Sequence, residues 1–164
     1  GSEEVLRASA SWPHAEILMG GSATVDAVTD LSGRVDVLHV AAHGRHSPDH
    51  PLFSGVELSD GTLFGYDIDL VPHVPDVVVM SSCEVGRSSI RGGEEAIGMT
   101  RIWLHAGSSC VVAAPVVVAD DIAYELLAAM HAGLARGADP SQALASATVR
   151  TGLIAPFQVY GAGF

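Results

Sequence analysis

The chain has 164 residues, 48% of them apolar, and its 8 basic and 19 acidic side chains give a formal charge of −11. That length suits one domain with a sizeable core, and the apolar content excludes intrinsic disorder. All the basic residues are Arg and do not form the cluster that phosphate binding needs, so nucleic acid is not expected as a direct partner, and no apolar run reaches the roughly 18 residues that would make a membrane one.

The opening Gly1-Ser2-Glu3-Glu4 has neither a basic nor an apolar signal region, which makes the cytoplasm the expected location. Lacking an initiator Met, residues 1–15 read as a tag remnant and lead-in, and residues 16–164 as one domain cut from a longer chain. Four apolar runs have the composition of buried strands: Glu16–Met19, Val35–Ala42, Val77–Ser82 and Ser109–Val118. Continuous rather than alternating hydrophobicity suits parallel strands covered on both faces. Between them, Ala23–Leu31, Glu95–Ala106 and Asp121–Arg136 read as helices, and the last two stop at Gly107 and Gly137. Asp139 is the expected N-cap of a final helix that Pro140 opens and that runs to about Thr151, before a closing strand at Phe157–Tyr160. One stretch breaks the alternation: Val56–Leu63 reads as a β-hairpin around Asp60-Gly61. The fold class expected is α/β, a mainly parallel sheet flanked by helices.

Ligands of an open parallel sheet bind at the carboxyl ends of its strands. The run Val35–Ala42 finishes in His43-Gly44, and Val77–Ser82 finishes in Cys83. If these strands are neighbours, an imidazole and a thiol emerge at one rim: the imidazole activates the thiol, which attacks a carbonyl. The backbone N–H groups of Gly44 and Cys83 are the candidate oxyanion hole. A Cys at a strand end is also ordinary packing, which is the reading given to Cys110 inside its apolar run.

At these residues the sequence resembles the CHAT domains, caspase-like relatives of separase and the metacaspases. The likeness runs in order through Leu38–Gly44, the hairpin Leu58-Ser59-Asp60-Gly61, Asp67-Ile68, Val77–Gly86, Gly93–Gly98, Trp103–Gly107, Val117–Asp120, Gly137–Ala147 and Tyr160-Gly161. It implies a caspase-like three-layer sandwich and a cysteine endopeptidase working through the dyad His43 and Cys83, with no metal or cofactor. It also implies a protein or peptide substrate, and control by a regulatory domain or partner protein.

Metacaspases place an Asp two residues before the Cys to bind a basic residue ahead of the scissile bond; this chain has Ser81 there. Asp120 and Asp121 are then the candidate substrate-binding carboxylates, although Asp120 is also a natural N-cap for the helix that follows. Many relatives carry Trp where this chain has Pro115, which changes a wall of the expected groove. The segment Glu84–Gly93 reads either as a loop that rearranges or as an ordinary exposed connection.

Two other functions stay open. An inactive CHAT-like domain would be a binding or scaffold module. His43, His46 and His50, with Asp49 nearby, could instead serve a metal-dependent hydrolase. His39 is no natural member of that group, because it would lie about 13 Å from His43 along a strand. His73, His105 and His131 read as surface or boundary residues.

Overall fold

The structure is a computed structural model that describes residues 2–81 and 89–162, with backbone alone for residues 89–95. Helices α1 (Ser2–Ser9) and α2 (Val25–Ser32) precede strand β1 (Val37–Ala41). Three short strands follow, β2 (Gly44–Arg45), β3 (Gly55–Glu57) and β4 (Thr62–Phe64), then helix α3 (Gly65–Asp69) and strand β5 (Val77–Ser81). The chain closes with α4 (Ser89–Ala106), β6 (Cys110–Ala113), α5 (Asp120–Ala135), α6 (Pro140–Thr151) and β7 (Gln158–Gly161).

The main sheet has the order β1-β5-β6-β7. β1 with β5 and β5 with β6 are parallel, and β7 returns antiparallel to β6. Alternation along the strands divides the core between the two faces of the sheet. Val78, Met80, Val111 and Ala113 pack on one face with α2 and α4, through Leu31, Met99 and Trp103. Val77, Val79, Cys110 and Val112 pack on the other with α5 and α6, through Leu126, Met130 and Ala147. β5 is buried at all five positions, so its unbroken apolar run is the signature of a strand covered on both sides. The result is the mixed α/β sandwich with a mainly parallel sheet that the sequence predicts.

The hairpin forms as read. Leu58 N–H donates to Gly61 O at 2.7 Å across the Asp60-Gly61 turn, and β2, β3 and β4 make a separate antiparallel sheet. The same turn anchors α2: Thr24 caps it through Ala27 N–H at 3.1 Å, while Asp60 Oδ1 accepts from Val25 N–H at 2.8 Å.

Several elements differ from expectation. Residues 16–19 form no strand; Ile17 and Met19 are exposed, so the short apolar run has no second row of partners to bury it. Residues 2–9 form helix α1 and bury Glu4 and Ala8. α4 starts at Ser89, six residues before the expected Glu95, and runs on through Gly92 and Gly93, so the two glycines do not stop it. Asp139 occupies the N-cap position of α6 without a side-chain capping bond. Ser82, the expected last residue of the β5 run, lies outside the described residues.

Candidate active site

β1 and β5 are hydrogen-bonded neighbours with Ala41 and Ser81 as Cα partners. His43 follows the pair by two residues in the sequence, and so does Cys83. His43 is exposed and sits in the short link from β1 to β2, where its carbonyl accepts from Glu57 N–H at 2.8 Å. Cys83, with Glu84 to Ser88, lies outside the described residues, and so does the first half of the segment read as a possible rearranging loop; its second half, residues 89–93, is the start of α4.

The ladder also orients Gly44. Antiparallel partners alternate between pairs that exchange hydrogen bonds and pairs that do not. The Glu57-to-His43 bond makes His43–Glu57 the bonded pair, so Gly44–Val56 is the unbonded one. The Gly44 N–H therefore points away from β3. Gly44 lines a narrow cleft at the carboxyl ends of the strands. Met80, Ser81, Val118, Asp120 and Glu4 share that lining. His43 lines a larger groove along the outer edge of β1, so His43-Gly44 divides the two hollows.

The acidic candidates have different settings. α5 is capped by Ala119, and Asp120 is its first helical residue, so the capping role expected of Asp120 does not arise. Asp120 Oδ2 accepts from Tyr124 Oη at 3.2 Å, while Oδ1 is buried with no hydrogen-bond partner among the described residues. A carboxylate at the first turn of a helix is held by the helix dipole. Asp121 Oδ1 accepts from the neighbouring Ile122 N–H in an exposed position. The Ser81 hydroxyl is buried and donates to Glu4 Oε1.

That last bond belongs to a buried polar chain absent from the sequence reading. The Trp12 indole N–H donates to His131 Nδ1 at 3.1 Å, His131 Nε2 lies 2.9 Å from His39 Nδ1, and His39 Nε2 lies 2.8 Å from Glu4 Oε1. His131 is 2% exposed, which corrects the boundary position expected of it. Burial and the neighbouring His39 push its pKa down to about 3. Burial alone would raise the Glu4 carboxyl, but the hydrogen bonds from His39 and Ser81 outweigh it and leave the pKa below the usual value. The sequence signal for this cluster was faint: a His inside the apolar helix run 120–135 and another inside a strand, each needing a partner once buried.

Cys110 is fully buried, and burial raises its thiol pKa to about 11, as suits a packing residue. Among the described residues no group of three His, Cys, Asp or Glu could hold a metal ion, so His43, His46, His50 and Asp49 do not converge on one. His46 instead turns toward Ser54 and α4, its Nδ1 lying 3.6 Å from the position a Cβ on Gly98 would take. Among the described residues no helix is long and apolar enough to cross a membrane.

The family model of the CHAT domain matches residues 3–151. The chain belongs to the CHAT domain family, which falls in the caspase-like peptidase clan. No curated protein matches the sequence. The match takes in His43, Cys83 and Asp120, and it begins within α1, so this CHAT domain includes the helix that carries Glu4.

Proposed function

We propose that this CHAT domain is a cysteine endopeptidase of the caspase type, with Cys83 as nucleophile and His43 as general base and then acid. The observation that carries the reading is the Ala41–Ser81 register: parallel neighbours in which the imidazole and thiol positions each follow the paired residues by two. His43 takes the Cys83 proton, and the thiolate attacks the peptide carbonyl to form a C–S bond. The C–N bond then breaks, and the proton on His43 goes to the leaving amine. Water, deprotonated by the same imidazole, hydrolyses the thioester and returns the thiol. The Gly44 N–H, directed away from β3, and the Cys83 N–H stabilise the oxyanion.

The cleft favours a cationic residue before the scissile bond. Asp120 presents a buried carboxylate oxygen that has no partner among the described residues, and an Arg or Lys side chain would supply one. Ser81 shapes the same cleft, while Asp121 is exposed at the start of α5 and adds to the negative field around the chain. The net charge of −11 draws cationic peptides by long-range steering. A peptide-library cleavage profile tests both parts together. Cleavage after Arg or Lys that is lost in Cys83→Ala is expected; cleavage that persists in Cys83→Ala overturns the thiol mechanism.

A further inference from the structure

The chain of bonds from Trp12 to Ser81 admits one arrangement of protons. An indole N–H can only donate, so His131 Nδ1 must accept. Neutral His131 then carries its proton on Nε2 and donates to His39 Nδ1. His39, accepting there, carries its own proton on Nε2 and donates to Glu4. Glu4 Oε1 receives that bond and the Ser81 hydroxyl together. Every step points toward the carboxylate, which is 1% exposed.

The members come from different parts of the fold. Trp12 follows α1, His131 sits on α5, His39 on β1, Glu4 on α1 and Ser81 at the end of β5. The two imidazoles lie nearly in one plane, 7° apart and bonded edge to edge, so neither ring can turn without breaking two hydrogen bonds. A buried, fully directed network of this kind fixes its end groups tightly, and losing one member leaves the next unsatisfied. Its end group is Ser81, the β5 partner of Ala41 at the rim of the cleft.

We propose that Glu4 is a positioning residue for the peptidase reaction: through Ser81 it fixes the end of β5 from which the chain continues to Cys83. The proposal rests on the cysteine peptidase reading. Glu4 does not touch the reacting atoms; it sets where the strand end sits relative to His43-Gly44. A displacement of about 1 Å in a reacting group can cost up to about a hundredfold in rate.

The test compares the wild type with Glu4→Ala, Glu4→Gln and Ser81→Ala. Ser81→Ala removes only the final bond and leaves α1 anchored through His39, so it covers the case in which Glu4→Ala does not fold. Two quantities are read in folded protein: cleavage kinetics on a peptide with Arg before the scissile bond, and the rate at which a cysteine-directed acyl probe labels Cys83, with Cys110 as internal control. Positioning predicts that kcat and Cys83 labelling fall together by about tenfold to a hundredfold in Ser81→Ala and Glu4→Ala, with KM changed little. Glu4→Gln, whose amide oxygen can still accept, should recover part of the loss. Variants that label and turn over at the wild-type rate, with only thermal stability reduced, would overturn positioning and leave the peptidase reading intact. Wild-type Cys83 labelling no faster than Cys110 would sink both.

Discussion

His39 and His131 lie with ring centroids 5.0 Å apart and nearly coplanar, joined Nδ1 to Nε2 at 2.9 Å. Because Trp12 donates to the far nitrogen of His131, this ring is neutral in the folded protein, in keeping with a pKa lowered to about 3. An unfolded His binds its proton near pH 6.5, so below that value the unfolded chain holds a proton the folded one refuses. Stability is therefore fully present above pH 6.5 and falls as the pH drops toward 3. Between pH 6.5 and 5 the loss expected from His131 is about 2 kcal/mol. The lowered Glu4 carboxyl acts in the same sense, its contribution being lost as the pH falls through its folded pKa. Denaturant titrations across this range check the slope, and His131→Gln, which can still accept and donate but does not titrate, should flatten it. An unchanged slope in that variant would assign the pH dependence elsewhere.

Substitution at the dyad should separate catalysis from folding. His43 is exposed and its backbone, not its side chain, makes the bond to Glu57, so His43→Ala should change stability by no more than about 0.5 kcal/mol. Its kcat/KM should fall by about a thousandfold or more, as should that of Cys83→Ala. Thermal melts alongside peptide cleavage check this; a His43→Ala protein with near wild-type turnover would remove His43 from the mechanism.

The parallel core was legible because burial on both faces leaves an unmistakable run, as at Val77–Ser81, and the hairpin because Asp60-Gly61 suits a tight turn. His43 was legible for the same reason, standing where a strand pattern stops. The polar chain was not. Glu4, Trp12, His39 and His131 are spread over more than a hundred residues, and no local spacing reveals that α1, β1 and α5 bring them together. Asp120 was half legible: an acidic residue before a helix run suggests a cap, and only the observed start of α5 moves the cap to Ala119.

Asp120 gives a charge-specific prediction. A buried carboxylate oxygen paired with a guanidinium is worth about 1.5 to 3 kcal/mol, so Asp120→Asn should lower kcat/KM for peptides with Arg before the scissile bond by about tenfold to a hundredfold. Peptides with a neutral residue there should be affected far less. Raising the ionic strength from about 0.01 to 0.15 M should weaken the remaining preference, because it shortens the reach of the −11 field. Equal losses on both peptide classes would mean that Asp120 supports the fold of the cleft and not its selectivity.

The closing strand depends on a single glycine. Gly161 ends β7 opposite Cys110 with φ at +90°, a region that side chains rarely enter. A Cβ there would lie 2.6 Å from Ser109 O and 2.7 Å from Leu104 Cδ2. The leucine tip can move, but the Ser109 carbonyl cannot easily, since it also accepts from Ala162 N–H at 2.9 Å. Gly161→Ala combines backbone strain with this clash and should cost about 1 to 3 kcal/mol, a fall in Tm of roughly 3 to 10 °C. The cleft lies at the opposite end of β6, beyond Ala113, so turnover per folded molecule should stay near the wild-type value. Melting curves and cleavage rates at a temperature where both proteins are folded test the pair of expectations, and a variant as stable as the wild type would show that β7 adjusts its path at Gly161.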